Sequence, residues 1–213
     1  MNAPIAIYPQ HNSPGKNDSR GAFAPEARAF AKLHGGRVLT FDNSRPSKDR
    51  FVEVIDLLRG RQAHCVAFFC HGLKTSLQVG ATLRNVHVLA AALRDAGCTT
   101  VPLFACDTAR DADRDHADDM ADGSGGAGGF ASALSAALPE ARVFGHTVTA
   151  HTSKAPYVRE FRGGGDGEWL VTPGSPWWRT WRKALQDDAA FRLSFPLWSS
   201  ERLVAELARR AAA

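Results

Sequence analysis

The run Cys65-Val66-Ala67-Phe68-Phe69-Cys70 holds six apolar residues in succession and stops at His71-Gly72. Such a run is too short for a core helix and suits a strand buried on both faces. Strands of that kind belong to parallel sheets with helices packed on either side. A second run, Thr100–Ala105, has the same character and stops at Cys106. The two runs constrain the fold more than any other feature, because each needs neighbouring strands and two covering layers.

The rest of the chain supplies them by alternation. Ile5–Tyr8 and Arg37–Phe41 read as strands, separated by a helix over Pro25–His34 that Gly35-Gly36 stops. Ser47–Arg59 reads as a helix with Ser47 as N-cap and Val52, Ile55, Leu57 and Leu58 on its apolar face. Val86–Ala96, closed by Gly97, and Phe130–Leu138 read as helices, and Val143-Phe144 as a short strand. Tyr157–Phe161 and Glu168–Val171 flank the glycine-rich stretch 163–167 and read as a hairpin. The pattern predicts an α/β fold: a three-layer sandwich whose mostly parallel sheet of about six strands carries helices on both faces. Residues 1–173 form this core. Residues 174–213, with Trp177, Trp178, Trp181 and Trp198, form an extension packing on it within a single structural domain, ending in a helix near Glu201–Arg210.

Charge and hydropathy exclude several classes. The 213 residues carry 26 Lys and Arg against 22 Asp and Glu, a formal net charge of +4. Without a dense basic stripe, this balance gives no reason to expect nucleic acid as a partner. No apolar stretch reaches the eighteen or so residues that a membrane span takes. Met1-Asn2-Ala3-Pro4 opens without the basic and apolar regions of a signal peptide. The expectation is a cytoplasmic protein with no membrane span and four reduced cysteines, Cys65, Cys70, Cys98 and Cys106.

Parallel sheets bind their ligands at the carboxyl ends of the strands. His71 stands at one such end and Cys106 at another. A single helix joins their strands, so a right-handed crossover makes them neighbours, about 4.8 Å apart. An imidazole beside a thiol converts it into an attacking thiolate. Either residue alone would read as an ordinary buried side chain; together they read as a Cys–His dyad.

Here the chain resembles a known family. Val66-Ala67-Phe68-Phe69-Cys70-His71-Gly72 is similar to the strand-then-His-Gly motif of the caspase-like (clan CD) cysteine peptidases, and Leu103-Phe104-Ala105-Cys106-Asp107-Thr108 to their strand-then-Ala-Cys motif. The Cys-Asp-Thr form looks closest to the CHAT branch, with its separase and gingipain relatives. The resemblance implies a caspase-like sandwich, Cys106 as nucleophile, His71 as general base, and the backbone N–H groups of Gly72 and Cys106 as an oxyanion hole. Two departures stand out. The interval from His71 to Cys106 is 35 residues, against about 50 for caspases, and Phe104-Ala105-Cys106 replaces the caspase Gln-Ala-Cys.

Asp107, Asp111, Asp113, Asp115, Asp118, Asp119 and Asp122 crowd the segment after Cys106. One reading is a solvated acidic loop. A second gives a carboxylate, Asp107 foremost, to a basic P1 side chain. A third places Ca²⁺ on the loop 107–122, although the EF-hand spacing is absent; no other cofactor is implied. The stretch 123–129 lacks the Lys-Ser/Thr ending of a P-loop and reads as a hinge. His146 and Thr147, with His151 beyond, are expected in the wall of a substrate cleft, since no third ligand argues for metal.

The sequence thus predicts a cysteine-type endopeptidase acting on a protein or peptide, with cleavage after Arg or Lys favoured over Asp. One rival is a catalytically silent caspase-like scaffold that binds a regulatory partner. The other is a flavodoxin-like ligand-binding module, against which stands the stretch Pro9–Gly21, with only Gly15 and Gly21 to cradle a phosphate.

Overall fold

The computed structural model describes residues 2–11, 23–111, 126–148 and 152–212. Five strands run parallel in the order β2-β1-β3-β6-β7. They are β1 (Ile5–Pro9), β2 (Arg37–Phe41), β3 (Val66–Phe69), β6 (Thr100–Phe104) and β7 (Arg142–His146). The glycine-rich turn folds β8 (Val158–Phe161) and β9 (Glu168–Trp169) into an antiparallel hairpin against β7, which makes seven strands in all. A separate pair, β4 (Gly72–Leu73) and β5 (Ser76–Leu77), forms a small hairpin immediately after His71.

The winding fixes the layers. From β1 the chain steps one way to β2, then returns past β1 and steps the other way through β3, β6 and β7. Right-handed crossovers therefore send the first helix to one face and the next three to the opposite face. Helices α2 (Ser47–Leu58), α3 (Val86–Asp95) and α4 (Phe130–Ala137) share the second face. Their Phe51, Val54, Leu89, Leu93, Phe130 and Leu134 pack on Ile5, Ile7, Phe68, Val101, Leu103 and Val143. On the first face α1 (Ala24–Leu33) places Ala27 and Phe30 against Tyr8, Ala67, Phe69 and Phe104.

One helix cannot cover that face, and the tryptophan-rich segment completes it. Three helices, α5 (Trp178–Asp187), α6 (Ala189–Ser194) and α7 (Ser200–Ala211), bring Trp181, Phe191, Leu203 and Leu207 onto Phe144 and Val158, and the 3-10 turn after α6 adds Phe195. Trp181 is wholly buried, and its indole N–H donates to the Pro156 carbonyl at 2.8 Å. Only α7 is visible in the sequence pattern. Ser47 is not the N-cap of α2: Pro46 holds that position at ψ 149°, so Ser47 is already helical and makes no capping bond. Among the described residues no helix is long and apolar enough to cross a membrane.

Candidate active site

β3 and β6 are hydrogen-bonded neighbours in the register Phe68↔Leu103 and Phe69↔Phe104. The Cys70 N–H donates to the Phe104 carbonyl at 3.4 Å and carries the ladder one residue further. Two residues beyond the last pair, His71 stands level with Cys106. Side chains alternate along a strand, and Phe69 and Phe104 share one face, where their rings stack at 4.5 Å. This is the face of α1, and the His71 ring meets Phe23, the N-cap of α1, edge-on at 5.0 Å.

The backbone of His71 is clamped by one residue. Its N–H donates to Gln78 Oε1 at 3.1 Å, and its carbonyl accepts from the Gln78 N–H at 2.9 Å. Gln78 follows β5, so the small hairpin exists where it can return this side chain to the tip of β3. Nothing in the sequence pattern singles it out.

The Cys106 side is fixed by a tight turn. Asp107 adopts φ 55°, the left-handed region that aspartate tolerates better than most residues. The Thr108 hydroxyl donates to the Ala105 carbonyl at 3.2 Å, and the Arg110 N–H to the Asp107 carbonyl at 3.2 Å. Ala109 N–H bonds the His146 carbonyl on β7, while the Thr108 carbonyl accepts from Ala131 in the first turn of α4.

Two glycines make room for this turn. A Cβ on Gly72 would lie 2.5 Å from the Cys106 carbonyl oxygen, 2.7 Å from Thr108 Cγ2 and 2.9 Å from Ala105 Cβ. A Cβ on Gly145 would lie 2.9 Å from Thr108 Oγ1 and 3.0 Å from Ala109 Cβ. The turn is wedged between the extension of β3 and the body of β7, and only residues without side chains permit that approach.

The four thiols are free, and they differ in kind. Cys65, Cys70 and Cys98 are buried. Burial pushes Cys70 up to about 12 and Cys98 up to about 11, and it raises Cys65 well above the ordinary thiol value. These three stay protonated at neutral pH and out of reach of reagents. Cys106 alone among the four is half-exposed.

His146 and Thr147 sit behind the site. They are 2% and 0% exposed, so they brace the Cys106 turn from beneath instead of lining an open cleft wall. Burial pulls the His146 imidazole down to about 4, opposed by a hydrogen bond with the Ala155 backbone. Its ring lies 6.3 Å from that of Phe104, and neither His146 Nδ1 nor Thr147 Oγ1 has a hydrogen-bond partner among the described residues. Asp107, 9% exposed, belongs to the turn itself. Asp113, Asp115, Asp118, Asp119, Asp122 and His151 lie outside the described residues, as do the glycines at 123 and 125. Among the described residues no three His, Cys, Asp or Glu side chains gather as a metal site.

Neither a protein-family model nor a curated protein gives a significant match to this chain.

Proposed function

We propose that the chain is a cysteine-type endopeptidase of the caspase-like kind, working through a Cys106–His71 dyad. One observation carries the reading. The single half-exposed thiol of four stands at the tip of β6, level with a histidine at the tip of the adjacent β3. Three other cysteines in the same fold are buried and inert, so accessibility at this strand end is a local property of Cys106.

In the proposed reaction His71 takes the Cys106 proton, and Sγ attacks the scissile carbonyl carbon. The carbonyl oxygen becomes an oxyanion, held by the N–H groups of Gly72 and Cys106. The C–N bond then breaks, and His71 returns the proton to the leaving amine. Water, deprotonated by the same imidazole, attacks the thioester and releases the acid and the thiol. Gln78 and the backbone of the Asp107–Arg110 turn are positioning elements: they hold the chain on either side of the dyad and take no part in the bond changes. Asp107, next to the nucleophile, is the carboxylate on which a preference for Arg or Lys at P1 would rest.

Iodoacetamide labelling of the native protein, read by mass spectrometry, tests the thiol. Cys106 should be alkylated ahead of the other three, and His71→Ala should slow it. A fluorogenic peptide library varied at P1 should be turned over by the wild type and not by Cys106→Ala. Uniform or absent labelling, or cleavage that survives Cys106→Ala, overturns the reading.

The strand order favours one rival specifically. Five parallel strands in the order β2-β1-β3-β6-β7 are doubly wound, with the switch point between β1 and β3. A ligand-binding module would seat its ligand there, near Gln10, His11 and His71. A thermal-shift screen of mononucleotides and flavins separates the readings, since the peptidase should show no stabilisation by either.

A further inference from the structure

The first turns of α5 carry Arg179, Arg182 and Lys183, all exposed. Among the described residues none of the three is in an ion pair with a carboxylate. Together with Pro156, Tyr157 and Trp178 they line a hollow of about 600 Å³. The two aromatic rings are tilted together at 5.1 Å. A second hollow of about 670 Å³ shares Arg179 and Lys183 and continues to Arg209 and Arg210. The segment 174–213 holds seven Lys and Arg against four Asp and Glu, so most of the net charge of +4 resides on this layer.

Position relates the hollow to Cys106. β8 runs antiparallel to β7 with Val158 opposite His146, so Tyr157 lies at the carboxyl edge of the parallel strands. The Thr147 N–H donates to the Tyr157 carbonyl at 3.1 Å. Cys106 follows β6 at that same edge, and β8 lies about 10 Å from β6 across two strand spacings. Helix α5 also belongs to the layer of α1, against whose first residues the His71 ring packs. An extended peptide crossing the sheet edge would pass from one feature to the other within about three or four residues, at roughly 3.3 Å each.

We infer that this basic, aromatic-lined hollow is an exosite for an acidic segment of the polypeptide substrate, with an apolar or aromatic side chain seated against Trp178 and Tyr157. The inference rests on the peptidase reading for the word substrate, and on the hollow alone for the binding. Three cations on one helix turn match carboxylates spaced along a peptide. Gln186 and Asp187 complete the lining. The Asp187 carboxylate beside the cations repels a phosphate chain, charged at every unit, whereas carboxylates spaced along a peptide can sit opposite the cations and leave a neutral residue opposite Asp187. The same cations bear on what the sequence suggests for P1: a basic P1 at Asp107 and an acidic stretch at the exosite describe one substrate of alternating charge.

The test uses the full chain carrying Cys106→Ala, so that binding is read without turnover. The probe is a short fluorescein-labelled Glu-rich peptide with one central Phe, followed by anisotropy. Arg182→Glu with Lys183→Glu should weaken binding about tenfold or more, since each reversal replaces an attraction with a repulsion. Arg182→Gln with Lys183→Gln should weaken it less, and raised salt should weaken it in the parent protein. Lys32→Glu with Arg59→Glu makes the same change in net charge elsewhere and should leave binding intact. Equal loss in that control, no loss in the α5 variants, or tighter binding of a single-stranded oligonucleotide overturns the exosite. A second arm places the Glu-rich segment in a substrate of the otherwise wild-type enzyme, where the α5 reversal should raise KM and spare kcat. Absence of all turnover with peptide binding retained removes the peptidase reading and the word substrate, and leaves the acidic-peptide surface standing.

Discussion

Replacing Gly72 with alanine adds one methyl group at the point where the two halves of the proposed dyad meet. Gly72 does not have a positive φ, so alanine suits its backbone and the cost is steric. The new Cβ would stand 2.5 Å from the Cys106 carbonyl oxygen and within 3 Å of both Thr108 and Ala105. None of these can move alone, since the Thr108 hydroxyl is bonded to Ala105 and its carbonyl to Ala131. Overpacking of this kind costs about 1–3 kcal/mol. For a chain of this length each kcal/mol lowers Tm by about 2–4 °C, so the expected fall is about 2–12 °C. Gly60→Ala is the comparison: φ is +69° and nothing lies within 4 Å, so its cost of about 1 kcal/mol is conformational and remote from the site. Differential scanning fluorimetry gives Tm, and timed iodoacetamide quenching gives the alkylation rate of Cys106. Gly72→Ala should change both, Gly60→Ala only the first. A Gly72→Ala protein with the Tm of Gly60→Ala and an unaltered Cys106 rate would refute the wedge.

Two further outcomes follow from the same packing. His146 has a folded-state value of about 4, below the ordinary histidine value of 6.5, so the unfolded chain takes up the proton first as pH falls. Its contribution is intact above about pH 6.5 and is lost toward pH 4, roughly 3 kcal/mol over the window; urea titrations at several pH values should show this, and His146→Gln retaining the full acid slope would count against it. Trp181→Ala should cost about 3–5 kcal/mol in urea, because it empties a wholly buried site beside Phe191 and Phe195. A loss under about 1 kcal/mol would show that the α5–α7 layer bears little of the core.

The strands that carry His71 and Cys106 were legible because apolar runs with no helical period and abrupt polar ends leave few alternatives. The crossover rule then made the two strands neighbours, as β3 and β6 are. The clamp on His71 was not legible, since the two-residue strands β4 and β5 have no period to detect and Gln78 is an ordinary surface residue by composition. Gly145 lies inside β7, where a glycine marks close approach of another backbone, here the Cys106 turn; the apolar pattern of the sequence ends one residue earlier, at Phe144. Helices α5 and α6 were hidden for different reasons. The tryptophans of α5 drew attention to their chemistry over their spacing, and α6 has only six residues. The burial of His146 and Thr147, 2% and 0% exposed, was not legible, because position along a strand gives no measure of what covers its end.

The three-helix layer over β7 and β8 has a consequence for the order of events in folding. Phe144 and Val158 find their cover in residues 181–207, some 40 to 65 positions downstream of where β7 begins. A nascent chain leaving the ribosome can assemble β1 to β6 with α1 to α3 from local crossovers. It must hold the greasy side of the next strands open until the last helices emerge. Loop-closure cost rises slowly with separation, so the delay is set by synthesis more than by entropy. During that interval the exposed sheet face is a natural target for a chaperone, and the proposed nucleophile, already at the tip of β6, waits beside a half-built wall.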